Sequence, residues 1–310
     1  MANPLLVLMI LLGFFPFPLQ SKVVEDEVVA LQDIVQTMGA RYWKFDDVSC
    51  QVEMVGVTPH APLDAESDIK CDCQFENNTC HVVRIWLKRY SLPGVLPREL
   101  VKLPYLREVD FAYNYLSGGI PLEWASLQLE SISLLVNRLS GEIPKELGGI
   151  TSLIALYVSV LLPSTTLNLE ANQFTGRVPD ELGKLMNLKT FRISDNNFGG
   201  VIPDYIQNWR QLNRLELHAS GLHGPIPSVI SLLDGLADLR ISDIDGPTQE
   251  FPNLSNMTDS LVRLVLRNCN IAGEIPEYLW TMKNVKMLGQ SYWTASAFIR
   301  LEQVSVVSVE

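Results

Sequence analysis

One pattern, LxLxxNxLxGxIP, recurs along this chain and constrains its fold more than any other feature. It is read at Val109, Phe111, Asn114, Leu116, Gly118, Ile120 and Pro121, then at Ile132, Leu134, Asn137, Leu139, Gly141, Ile143 and Pro144. It returns at Leu167, Leu169, Asn172, Phe174, Gly176, Val178 and Pro179, and at Phe191, Ile193, Asn196, Phe198, Gly200, Ile202 and Pro203. Weaker copies keep the apolar frame but place Tyr90, Ser220 and Cys269 in the asparagine slot. The leading apolar residues, Ile85, Val109, Ile132, Leu167, Phe191, Leu215, Leu239 and Leu264, are spaced by 24, 23, 35, 24, 24, 24 and 25 residues.

Each residue type has a mechanical reason. The LxL pair sends two side chains to one face of a short strand, because successive strand side chains alternate. The asparagine bonds backbone groups of the turn that leaves the strand, and the glycine supplies a backbone conformation closed to other residues. Apolar residues at intervals of three, as in Leu182, Leu185 and Leu188 or Ile230, Leu233 and Leu236, predict a tight helical or 3₁₀ return on the convex side. No repeat can bury its leucines alone, so neighbours stack on one continuous core. The expectation is an α/β solenoid with eight strands in one parallel sheet on the concave side, the first near residues 84–87 and the last near 263–266.

The long interval holds an 11-residue excess at 157–167. Leu156-x-Val158 and Leu167-x-Leu169 compete there for the fourth strand, and the second pair is favoured because Asn172, Phe174 and Gly176 follow it in register. A ninth repeat begins at Val285 and Leu288 without the residues to complete it, and the alternating Val304, Val306 and Val309 offer an irregular strand.

A chain of 310 residues with 47% hydrophobic content suits one large domain or an elongated array. Its net charge of -11 argues against a nucleic-acid partner, which needs a basic field, so any basic site must be local. Residues 1–21 read as a secretory signal: an apolar run from Pro4 to Leu19 is shorter than the ~20 residues that span a bilayer, and a polar, acidic stretch follows. A retained anchor is the weaker alternative; no basic residue precedes the run, and no later segment is apolar enough to span.

Four of the five cysteines, Cys50, Cys71, Cys73 and Cys80, cluster ahead of the repeats and read as two disulfides in an oxidising compartment. Three pairings are open. Zinc fits poorly, because structural sites usually space such ligands by about two to four residues. The domain reading is therefore a signal peptide at 1–21, a cysteine-containing cap at 22–82, repeats at 83–289 and a tail at 290–310.

The LxGxIP form is the plant-specific kind of leucine-rich repeat. Ahead of it stand an amphipathic segment (Val28, Leu31, Ile34, Val35, Met38), Tyr42-Trp43, Ser49-Cys50, the string CDCQFENNTCHV from Cys71 and LPGVLPREL from Leu92; VLRNCNIAGEIPEYLW follows from Val265. This order resembles the extracellular part of plant leucine-rich-repeat receptor-like serine/threonine kinases that carry a malectin-like domain, over about residues 23–288. The resemblance implies a leucine-rich-repeat solenoid that recognises a peptide, a wall-derived oligosaccharide or a partner receptor ectodomain. It also implies an extracellular place for this region, at the plasma membrane in full-length members.

The family's malectin-like domain, membrane span and kinase are not found here. A kinase would show GxGxxG, VAIK, HRD and DFG motifs, so neither enzyme activity nor a cofactor is expected. The excess segment and the tail depart from the family pattern and read as alternative or imperfect splicing. Two rivals stand beside the receptor reading: a secreted inhibitor of wall-degrading hydrolases, since polygalacturonase-inhibiting proteins share this solenoid, and a truncated product without function.

No catalytic constellation stands out: His60, His81, His218 and His223 fit no metal-ligand spacing, and no GxSxG elbow occurs. Cys269, in the asparagine slot, reads as a buried inert thiol. Asn77, Asn253 and Asn256 head glycosylation sequons. The outward strand slots hold Arg84, Trp86 and Lys88 first, then Arg192, Asp195, Arg214, Glu216, His218, Asp238, Arg240, Asp243, Arg263 and Arg267. Arg192, Arg214, Arg240, Arg263 and Arg267, with His218, are the candidate site for an acidic ligand group, and Trp86 with Lys88 is the second candidate. The competing reading is that these charges pair among themselves, with Glu216 bridging Arg192 and Arg240.

Overall fold

The computed structural model describes residues 22–40, 43–46, 50–54, 64–75, 79–150, 165–285, 287–289 and 305–306. The segment 1–21 read as a signal, Asn77, the pair Leu156 and Val158, and most of the tail lie outside them.

The cap comprises β1 (Lys22–Val23), α1 (Glu25–Thr37), β2 (Trp43–Asp46), β3 (Gln51–Met54), β4 (Glu66–Asp72) and β5 (Thr79–Lys88). Glu25, Asp26 and Glu27 place negative charge in the first turn of α1, where the helix dipole favours it. The helix buries Ala30, Leu31, Ile34 and Val35 against the first repeat. At its far end Gly94 donates to the Met38 carbonyl; a Cβ on Gly94 would sit 2.2 Å from the Thr37 oxygen, so only glycine fits. Two disulfides pin the antiparallel β4–β5 hairpin: Cys50 pairs with Cys71 and Cys73 with Cys80.

From β5 the solenoid repeats through β6 (Glu108–Asp110), β7 (Ser117–Gly118), β8 (Ser131–Ser133), β9 (Arg138–Gly141), β10 (Thr166–Asn168) and β11 (Gln173–Phe174). It continues through β12 (Thr190–Arg192), β13 (Arg214–Glu216), β14 (Asp238–Ser242), β15 (Arg263–Arg267), β16 (Met287–Gly289) and β17 (Ser305–Val306). The large sheet runs β1-β5-β6-β8-β10-β12-β13-β14-β15-β16-β17, with β4 beside β5. Ile85, Val109, Ile132, Leu167, Phe191, Leu215, Leu239 and Leu264 align partner to partner, and Leu288 and Val306 extend the row. Leu167 thus occupies the fourth position. The sheet has 12 strands rather than the expected eight. The four additions are the cap strands β1 and β4, which find the free edge of β5, and β16 and β17, which prolong the register past Leu264.

A second, three-stranded sheet β7-β9-β11 was not expected. It forms from the residues just after the asparagine slot, where successive turns stack closely enough to bond. Most convex returns are 3₁₀ segments that follow a proline, as at Asp180–Lys184 after Pro179 and Asp204–Asn208 after Pro203. Their apolar residues close the core from behind. Trp124 and Trp209 are fully buried, and each indole N–H donates to the preceding repeat, at Pro97 and Leu182.

The asparagines act as rungs. Asn114 donates to the carbonyls of Leu87 and Phe111 and accepts from the amides of Tyr90 and Leu92, so one side chain joins two repeats. Asn172 and Asn196 repeat the arrangement. These rungs pair backbone groups that burial between repeats would otherwise leave unsatisfied.

Candidate functional site

The strand register sets two columns of charge on the concave face. Arg192, Glu216 and Arg240 share one slot in β12, β13 and β14, while Arg214, Asp238 and Arg263 share another in β13, β14 and β15. The stacked pitch of ~4.8 Å brings opposite charges together. Arg192 Nε lies 2.6 Å from Glu216 Oε2 and its other end meets Glu170. Arg214 Nη2 lies 2.6 Å from Glu216 Oε1, and Arg240 Nε lies 3.3 Å from the same oxygen. Asp238 takes Arg240 at 3.0 Å and Arg263 at 2.7 Å. Farther along, Arg267 donates to Asp243 at 3.1 Å.

Glu216 was expected to face solvent. Its side chain is closed to it, lying beneath Arg192, Arg214 and Arg240. Burial alone would push its pKa up, but the Arg214 hydrogen bond and the three guanidinium charges outweigh that and leave it lowered. Glu170 moves the other way: burial raises it, and the charges of Glu216 and Asp195 add to the rise against the pull of Arg192. For Asp243 too, burial is outweighed, here by hydrogen bonds from Ser242, Asn268 and Arg267, and its pKa falls.

His218 joins the network at its edge, with Nδ1 2.8 Å from Ser194 Oγ and Nε2 3.4 Å from Asp195 Oδ2. Glu170, Asp195 and His218 each place one possible metal-ligand atom within 4.8 Å of the others. These groups already hold Arg192, Ser194 and one another, which makes them part of the charge network. Trp86, at the other end of the sheet, stands between Arg84 and Lys88, whose charged groups lie 4.3 and 4.9 Å from its ring centroid. Those cations are themselves held, Arg84 by Glu108 at 2.8 Å and Lys88 by Asp110 at 3.2 Å. The two candidate groups therefore stay apart, one on the first repeat and one on repeats five to eight.

Asn253 is exposed just before the 3₁₀ return Ser255–Met257 and Asn256 is exposed within it, its side-chain amide donating to the Ser231 carbonyl. Cys269 is free and buried, its thiol donating to the Ile241 and Arg267 carbonyls in place of an asparagine amide. The sequence reading passed over Glu170 and Ser194. Glu170 follows Leu169 as His218 follows Leu217, a signal that slot-by-slot alignment carries. Tyr113, Tyr115 and Arg138 were also passed over, because they flank asparagine slots outside the strands of the large sheet.

The parallel sheet, asparagine rungs and 3₁₀ returns define a leucine-rich-repeat solenoid with a disulfide cap. The Leucine Rich Repeat family profile matches residues 165–185, 187–209 and 260–282. Over 286 residues the chain is 39% identical to a probable leucine-rich-repeat receptor-like serine/threonine-protein kinase of Arabidopsis thaliana, At1g53440, covering 86% of this chain and 27% of that one. The matches span between 9% and 27% of the length of such Arabidopsis kinases. Among solved structures it is similar to the ectodomain of the Arabidopsis receptor kinase HAESA with an N-terminally extended IDA peptide hormone (TM-score 0.59, 26% identity, 71% of this chain and 35% of that one). It is also similar to the plant peptide hormone receptor RGFR1 in complex with RGF2 (TM-score 0.51, 27% identity, 68% of this chain and 30% of that one). Among the described residues no helix is long and apolar enough to cross a membrane.

Proposed function

We propose that this chain is an extracellular recognition domain of the plant receptor-kinase type, reading an acidic peptide group on the concave face of repeats seven and eight. The observation that carries this is the set of guanidinium donors that the internal carboxylates leave over. Nη1 of Arg240, Nε and Nη2 of Arg263, and Nε and Nη1 of Arg267 make no hydrogen bond to a carboxylate among the described residues. Their side chains open progressively toward solvent, at 26%, 38% and 46%, against 19% for Arg192. Glu216 and Asp238 hold the Arg240 guanidinium, Asp238 that of Arg263 and Asp243 that of Arg267, so a ligand carboxylate meets donors already oriented for parallel hydrogen bonds. Charge pairing within the face and ligand binding are then two halves of one device.

Both solved relatives above hold peptide hormones, which supports a peptide. The cap string CDCQFENNTCHV supports placement in the malectin-domain group, and the apolar leader with the Asn77, Asn253 and Asn256 sequons supports a glycosylated apoplastic protein. The test is binding of one acidic peptide, as the free C-terminal acid and as the amide, to the wild type and to an Arg240→Ala, Arg263→Ala double variant. The acid should lose roughly ten-fold or more in the variant and weaken with salt. Equal binding of acid and amide, unchanged by the substitutions, would remove the reading.

A further inference from the structure

We infer that the outer edge of repeats one to three is a second binding surface, separate from the concave face, and that it takes an acidic oligosaccharide. Tyr113 and Tyr115 flank the Asn114 rung and are 40% and 48% exposed; Val136, one repeat on, is 39% exposed. Each tyrosine ring is fixed by a guanidinium: Arg89 lies 4.6 Å from the Tyr113 centroid and Arg138 lies 4.5 Å from that of Tyr115. The two cations differ in one respect. Arg89 is paired with Asp64 and Glu66, whereas Arg138 has no carboxylate partner among the described residues and meets the Tyr115 ring instead. On a chain with a net charge of -11, that is an exposed uncompensated positive charge beside exposed rings. Exposed tyrosine and arginine side by side are the residue types that binding hot spots favour.

The backbone argues for the class of occupant. Tyr113, Asn114 and Tyr115 donate their amides to Leu135, Val136 and Leu92, and Val136, Asn137 and Arg138 donate theirs to Glu170, Ala171 and Leu116. These amides are thus committed within the solenoid and cannot donate to a peptide main chain. The ring faces turned away from the two guanidinium groups, the tyrosine hydroxyls and the Arg138 fork remain. The electron-rich face of a tyrosine suits the weakly positive C–H face of a pyranose ring. The hydroxyls suit sugar hydroxyls, and the planar guanidinium suits a uronate carboxylate through two parallel hydrogen bonds. Tyr115 and Arg138 belong to adjacent repeats, and the pitch of ~4.8 Å is near the length of one sugar unit, so a short chain can lie along the edge.

The probe is decagalacturonic acid, titrated against the purified chain beside its methyl-esterified form and a poly-glutamate peptide of equal charge. Decagalacturonate should bind best, Tyr115→Ala should weaken it about ten-fold, and Arg138→Gln should abolish the preference over the methyl ester. Both side chains are exposed, and circular dichroism should show each variant folded. The Arg240→Ala, Arg263→Ala variant should bind the sugar as the wild type does, so failure here and failure of the concave-face reading are separable. Equal binding of poly-glutamate, indifference to Tyr115→Ala, or no binding of decagalacturonate would overturn the proposal.

Discussion

Nε of Arg192 lies 2.6 Å from Oε2 of Glu216, and the Glu216 side chain is closed to solvent. One buried carboxylate therefore holds Arg192, Arg214 and Arg240 on three adjacent strands. Removing it leaves three like charges without their shared partner, and breaking a buried ion pair from one side costs about 3–5 kcal/mol. Glu216→Ala should lose stability of that order in urea unfolding. Glu216→Gln should lose less, because its amide oxygen still accepts a hydrogen bond.

The same residue sets a pH dependence. Its folded pKa lies below the ordinary carboxylate value of 4.5, so its stabilising contribution is full above that value and is lost as pH falls through the folded pKa. Glu170 works in the opposite sense: its folded pKa is raised above 4.5, so its contribution is present below 4.5 and is lost as pH rises through the folded value. Melting temperatures between pH 3 and 7 should therefore fall less steeply on acidification in Glu216→Gln than in the wild type. Glu170→Gln should steepen the acid loss. Parallel profiles for all three proteins would show that neither carboxyl is shifted on folding.

The strand positions were legible because the LxL frame needs only local periodicity, and the rung asparagines fix its phase. Leu167 could be chosen over Leu156 for that reason, since Asn172 follows it at the right distance. Glu216 was not legible as a buried group. Alternation puts it on the outward side of β13, and what covers it comes from Arg192 and Arg240 one repeat away on either side. The second sheet was missed because Ser117, Ser140 and Gln173 are not strand formers; their ladder follows from the stacking pitch and not from their side chains. The cap pairings were left open because the order of cysteines carries no geometry.

The two disulfides should contribute unequally. Cys50–Cys71 closes a separation of 21 residues and Cys73–Cys80 one of seven. Loop-closure entropy gives about 3 kcal/mol for the first and about 2 kcal/mol for the second. Cys50→Ser with Cys71→Ser should thus lower the urea midpoint more than Cys73→Ser with Cys80→Ser. Mapping of the unreduced protein should recover the two bridged pairs; a Cys50–Cys80 peptide would contradict this cap.

Asn196 tests the rungs. Its amide donates to the carbonyls of Leu169, Ile193 and Ser194, and its oxygen accepts from the Phe174 amide, all in a buried site. Asn196→Ala strands these groups, at about 1–3 kcal/mol for each left without a partner. The expected loss is about 2–4 kcal/mol, since the Ser194 carbonyl keeps its bond from the Ala171 amide. Asn197→Ala, at the exposed neighbouring position, should change stability by less than about 0.5 kcal/mol. Similar losses at both positions would mean that the asparagine spacing is not structural.

Cys269 shows what happens when the rung is replaced. Burial raises its thiol pKa to about 12, with the Asp243 charge adding to the rise against two backbone hydrogen bonds. The thiolate is the reactive species, so at pH 7.5 almost none is present, and the surrounding residues also block access. A thiol reagent should therefore label native protein only as fast as the eighth repeat opens. Labelling should become immediate in urea, with one thiol per chain, because the other four cysteines are in disulfides. Non-reducing electrophoresis should show no dimer through this residue. Rapid labelling of the folded chain, or a disulfide-linked dimer lost in Cys269→Ser, would place the thiol at the surface and end its reading as a substitute for the asparagine rung.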